Sequence, residues 1–204
     1  MYDELEYGIR QTWGSTDQAG FVYLRCNQFG GGGAELVGNT LYADTKESPD
    51  NLLLKMQIAM PRIWEIYGGL FDYMVRPCSG SYFVLDRLKA VLQDKPRDGL
   101  CFGVKGECQR TGVTFLSGAG YVLSSDVVKR LALGDVPYHP TIRYDDVSLG
   151  YALAEMGYEL DGDGAMRTDC DQGRPWSVDD GSYHYHFRTE AHLMYDVHEK
   201  LGAL

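Results

Sequence analysis

Two adjacent carboxylates, Asp145 and Asp146, open the string D-D-V-S-L-G-Y, and two histidines, His184 and His186, alternate within Y-H-Y-H. A carboxylate held at a helix start beside a partly desolvated cleft can act as a general base, taking the proton of an attacking hydroxyl. Plain helix capping explains the same residues, stabilising by ~1 kcal/mol with no catalysis. Residues two apart on a strand share a face, and imidazole is a good ligand for manganese or zinc. A structural histidine, or one paired with a carboxylate, is the competing reading. Between these groups lies S-G-A-G-Y-V-L-S, residues 117–124. Gly118, Ala119 and Gly120 let a backbone approach a sugar or diphosphate, or simply form a tight turn. Upstream, R-P-C-S-G-S (residues 76–81) offers the Arg76 cation, the Ser79 hydroxyl and the Gly80 N–H to a phosphate, unless it too is only a turn.

The patterning around these strings predicts the elements that must position them. Helices are expected over residues 2–13, 51–67, 125–133, 145–156 and 190–201, with Pro61 kinking the second or starting another. Apolar runs predict strands at 21–25, 41–44, 71–75, 113–116 and 183–187, and a strand turning into a helix over 81–91. Residues 29–34 (F-G-G-G-G-A) read as a loop, 118–120 as a tight turn, and Pro175 with the acidic stretch 177–181 as an exposed loop. Alternating strands and helices argue for an α/β fold with a mostly parallel central sheet flanked by helices.

At 204 residues the chain is one domain with room for a full core, and 44% hydrophobic with 24% charged residues is ordinary for a globular protein. A net charge of −10 disfavours a nucleic-acid partner, since no basic field attracts phosphate. The five cysteines lack zinc-finger spacing; Cys101 and Cys108 either close a loop in an oxidising compartment or stay unpaired. No apolar run approaches the ~18 residues of a membrane span.

Four strings stand in order: I-R-Q-T-W-G (9–14), D-T-K-E-S-P-D-N-L-L-L-K-M (44–56), S-G-A-G-Y-V-L-S and D-D-V-S-L-G-Y (145–151). Together they resemble the fringe-like beta-1,3-glycosyltransferases over residues 9 to about 186. The resemblance implies a single GT-A domain, a UDP-sugar donor, transfer with inversion to a glycan or glycoprotein hydroxyl, usually manganese, and the Golgi lumen. Carried over by position, Asp146 is the base with Asp145 as runner-up, and Gly118, Ala119 and Gly120 form the donor-side wall. His184, ahead of His186, completes the metal site. By residue type, the Arg76 cation can neutralise phosphate directly, and the aromatic faces of Trp176 and Tyr183 either stack on sugar rings in an acceptor cleft or pack in the core or rim. The chain departs from the pattern where the metal-binding acidic triplet should stand, at Cys78, Ser79 and Gly80. Asp161 and Asp163 lie after the D-D-V helix, where that triplet does not belong, and read as a surface turn. The family's first strand would precede I-R-Q-T-W-G, so an N-terminally truncated domain is expected, its membrane association confined to an anchor outside this chain. The rival reading is a fringe-like fold without turnover, serving as a glycan-binding or scaffold module.

Overall fold

The computed structural model describes residues 2–16, 19–170 and 175–202. The chain runs α1 (Tyr2–Gln11), a short 3-10 turn (Trp13–Ser15), β1 (Tyr23–Cys26), β2 (Ala34–Val37), β3 (Thr40–Ala43) and α2 (Leu52–Tyr67). It continues through β4 (Tyr73–Pro77), β5 (Ser81–Phe83), α3 (Leu85–Leu92), β6 (Cys101–Cys108), β7 (Val113–Ser124) and α4 (Ser125–Leu133). Last come α5 (Asp145–Glu155), β8 (Leu160–Asp161), β9 (Thr168–Asp169), β10 (His184–His186) and α6 (Ala191–Gly202). The fold is α/β, as the alternation of elements predicts.

A four-stranded sheet ordered β4-β7-β6-β8 divides two cores. Side chains alternate across its strands with the period of two that a pleat imposes. On one face Cys101, Tyr121 and Leu123 meet Met60 of α2, Val127 and Leu131 of α4, and Leu149 and Leu153 of α5. On the other face Phe102 and Val122 meet Trp13, Tyr82, Phe83, Tyr185 and Met194, from the N-terminal turn, the β5-β10-β9 sheet and α6. Tyr183 packs there too, buried between Phe83 and Phe102, so it does not line an acceptor cleft as expected. Trp176 packs against the same core under the Lys200 ammonium, 3.9 Å from its ring.

The mostly parallel sheet is not what forms. β4 and β6 both pair antiparallel with β7, and β5 with β10; only β8 joins the main sheet in parallel, as β9 does β10. The reason is β6. Its sequence C-F-G-V-K-G-E-C carries two glycines and two charges, which weakens the strand signal, yet it hairpins back through residues 109–112 onto β7. This also settles the cysteines. Cys101 and Cys108 stand at opposite ends of one extended strand, ~23 Å apart at ~3.3 Å per residue, and are free thiols. β2 was likewise unmarked, because Ala34–Val37 follows the glycine run directly. Pro61 lies inside one continuous α2 and starts no second helix; its ring is exposed, so the carbonyl it leaves unbonded can face water.

The tight turn expected at Gly118–Gly120 is also replaced. β7 runs unbroken from Val113 to Ser124, but its register with β6 jumps: Gly103 pairs with Tyr121, then Lys105 with Leu116. Residues 117–120 therefore face Val104 alone and bulge from that ladder. Bulges of this kind re-aim backbone and side chains beside functional sites.

Helix α5 lies so close to β7 that a methyl on Gly150 would sit 2.6 Å from the Thr114 carbonyl and 2.7 Å from Phe115 Cβ. Gly150→Ala is expected to destabilise the fold by about 1–3 kcal/mol through overpacking. Gly202→Ala, with nothing within 4 Å, should be neutral or slightly stabilising. Urea unfolding of the two variants checks the contrast.

Candidate functional site

The bulge on β7 gathers Arg76, Asp145 and Asp146, with His184 and His186 of β10 close by. From β4, Arg76 donates Nη1–H to the Gly118 carbonyl at 2.5 Å, and its other arm pairs with Asp145. From the start of α5, Asp146 Oδ2 accepts the Gly118 N–H at 3.0 Å, while Oδ1 accepts the Val147 N–H at 2.9 Å. After β4, the Cys78 N–H donates to the Ala119 carbonyl at 2.9 Å, and the Ser81 hydroxyl donates to the same oxygen at 2.7 Å. From β10, His184 and His186 stand with ring centroids 6.4 Å apart, on one face as their spacing predicts.

Two carboxylates adjacent in sequence thus have different surroundings. The N-cap of α5 is Tyr144, which makes no side-chain cap, and neither aspartate serves as one. Asp145 neutralises Arg76; both side chains are largely buried. Asp146 reaches across to β7. Burial raises its pKa, the Gly118 N–H opposes that, and the neighbouring Asp145 charge adds to it. A carboxylate that holds a proton more tightly than usual is suited to accepting one.

The histidines also differ. His184 is buried, stacked on Phe83 with ring centroids 4.3 Å apart, and its Nε2 lies 3.0 Å from Ser81 Oγ. Because Ser81 gives its proton to Ala119, its oxygen accepts from Nε2–H, which fixes the neutral tautomer. Burial, with Arg167 and His186 nearby, lowers the His184 pKa to about 3. His186 Nδ1 lies 3.2 Å from Asp169 Oδ1, and its ring hydrogen-bonds the Cys78 side chain. Burial works against a charge on His186, but the bonds to Cys78 and Asp169 outweigh it and raise the pKa. For Cys78 the balance is reversed: burial pushes the thiol up, and its interactions with His186 and Ser81 pull it below the ordinary value.

The glycines are occupied by protein. A methyl on Gly118 would stand 3.0 Å from Asp146 Oδ2, one on Gly120 2.5 Å from Phe83 Cζ, and one on Gly80 2.3 Å from the Arg188 carbonyl. They are small so that Asp146, Phe83 and the chain after β10 can approach. Ser79 lies in the turn between β4 and β5. Arg76 is spoken for by Asp145 and Gly118, so it does not face solvent as an unpaired phosphate contact.

Two residues escaped the sequence reading. Arg167 donates to Ser117 Oγ at 2.6 Å and pairs with Asp169 at 3.1 Å, and Asp169 in turn holds His186. The signal available was R-T-D, in which Arg167 leads into β9, a two-residue strand whose pairing with β10 nothing in its sequence announces. Asp161, by contrast, pairs with Lys95 at 2.8 Å, away from this site, in keeping with a surface role.

The donor set does not fit manganese. Cys78, Ser79 and Gly80 supply no carboxylate, and the oxygens of Asp145, Asp146 and Asp169 already accept from Arg76, backbone N–H groups, Arg167 and His186. Hard dications need several available oxygens. Among the described residues no three His, Cys, Asp or Glu side chains converge as metal ligands. The sequence matches no model of a known protein family.

His184 gives the site a pH signature. It stays neutral when folded to about pH 3 but protonates near 6.5 when unfolded. The unfolded state thus binds the extra proton across that window, and stability falls as pH drops, by up to about 1.4 kcal/mol per unit. Urea unfolding between pH 6.5 and 4.5 should show a shallower loss in His184→Gln than in the unsubstituted chain.

Proposed function

We propose that this chain is a fringe-like, GT-A-type glycosyltransferase domain. It moves a hexose or N-acetylhexosamine from a UDP-sugar to a glycan or glycoprotein hydroxyl, with inversion and a beta-1,3 linkage. The observation that carries the reading is Asp146, a carboxylate of raised pKa at a helix start, bonded to the G-A-G segment of β7. In this scheme the acceptor oxygen attacks the anomeric carbon and its proton passes to Asp146. The bond from that carbon to UDP breaks on the opposite face. Asp145 keeps Arg76 in place against Gly118 and does not take the proton. The lumen of the Golgi is the compartment this reading carries; no helix among the described residues is long and apolar enough to cross a membrane.

One observation favours a second reading, a glycan-binding or scaffold module without turnover. The cations beside the bulge already face carboxylates, Arg76 with Asp145, and Arg167 and His186 with Asp169. A diphosphate carrying roughly two to three negative charges would have to compete with those acids.

Calorimetric titration of UDP, in EDTA and then with manganese, separates the two. The transferase reading expects binding in EDTA that manganese leaves unchanged. It also expects Asp146→Asn to lower kcat for sugar transfer by about a hundredfold or more while UDP affinity holds. A folded chain that binds no UDP in either condition would establish the second reading.

A further inference from the structure

Cys78 stands where the resemblance sets metal-binding acids, yet its neighbours suit sulfur chemistry. The pairing of β5 with β10 sets His186 opposite Ser81, whose Oγ lies 3.3 Å from the Cys78 sulfur, and so brings the imidazole to the thiol. His186 Nδ1 is held by Asp169 at 3.2 Å, which leaves Nε2 for the sulfur. Asp169 is itself fixed by Arg167 at 3.1 Å, and Arg167 by Ser117 at 2.6 Å. On its other side the sulfur lies 3.3 Å from Ser81 Oγ and receives the Gly80 N–H. A nucleophile, a base in contact with it and a third group orienting that base form the arrangement that nucleophilic catalysis requires.

We propose that Cys78 is a nucleophilic thiol that accepts acyl groups from activated esters or thioesters, with His186 as its base and Asp169 as a positioning residue. The thiol proton passes to His186, and the sulfur attacks the carbonyl carbon. The new C–S bond forms as the bond from that carbon to the leaving group breaks, and His186 returns the proton to the leaving group. No electrons are exchanged with an outside reagent. The site is not sealed: Cys78 is half-buried, and the largely buried His186 side chain keeps 15% of its exposure. The other cysteines differ: Cys101 and Cys170 are buried, burial pushes Cys26 up to about 11, and Cys108, although its pKa is lowered, has no histidine among the groups that lower it. The reaction needs no nucleotide, so it stands or falls separately from sugar transfer.

The test is p-nitrophenyl acetate with the whole chain at neutral pH, following p-nitrophenolate release and mapping acetylation by mass spectrometry. A burst of one equivalent is expected, on Cys78, about a hundredfold faster than labelling of the partly exposed Cys26 and Cys108 in the same molecule. Cys78→Ser should abolish the burst. His186→Ala should remove the rate advantage, and added imidazole should restore part of it. Asp169→Asn should slow acetylation, with partial recovery in Asp169→Glu. Thermal unfolding confirms that each variant is folded. Labelling of Cys78 no faster than of Cys26 and Cys108 in the unsubstituted chain would overturn the proposal, whatever the variants do. So would an unchanged rate in folded His186→Ala.

Discussion

Everything chemical in this protein hangs on four residues of β7 that have left their ladder with β6. Residues 117–120 bulge opposite Val104, and the polar groups this exposes are taken up in turn by Arg167, Arg76, Asp146, Cys78 and Ser81. A buried backbone N–H or carbonyl without a partner is costly, so a strand that bulges must recruit partners from elsewhere. Here the recruits come from β4, the β4–β5 turn, β5, α5 and the segment before β9. Their mutual geometry follows from a common anchor. The glycines at 118 and 120 are part of the same constraint, since larger residues would drive off Asp146 and Phe83.

The site's charges compensate one another at close range. Arg76 and Asp145 form one pair, Arg167, Asp169 and His186 a second cluster, and Cys78 lies against the imidazole of the latter. Partly buried ions survive when paired and hydrogen-bonded, and removing one partner leaves the other uncompensated. Asp146 is the exception. Its oxygens accept only from backbone N–H groups, and burial, with the neighbouring Asp145 charge, raises its pKa against the pull of those bonds.

Much of this was legible in the sequence, for reasons that differ by residue. The helix over residues 125–133 carries clear periodicity, whereas α5, buried on most sides, is marked instead by the two aspartates in its first turn. The site residues Arg76, Asp145, Asp146, His184 and His186 do converge on the bulge. What failed was strand register. G-A-G has no side chains to show alternation, so a bulged strand reads like a turn. C-F-G-V-K-G-E-C hides β6 because its outer half is solvated and its glycines pack against Tyr121 and Phe115. Arg167 and Asp169 were invisible because their role depends on two residues of parallel pairing with β10.

The pairing of β5 with β10 brings Ser81 and His184 together from positions 103 apart in the chain. Such closures are slow, because the entropy of ordering the intervening chain must be met before the contact contributes. The neighbouring bond between Tyr82 and His198 spans 116 positions. The two-core sheet can therefore organise from hairpin contacts such as β6–β7 before the histidines arrive. A nascent chain still lacking β10 would hold Arg76, Asp145 and Asp146 around the bulge while Cys78 had no imidazole beside it. The imidazole beside Cys78 is therefore supplied only by docking of the C-terminal segment onto β5.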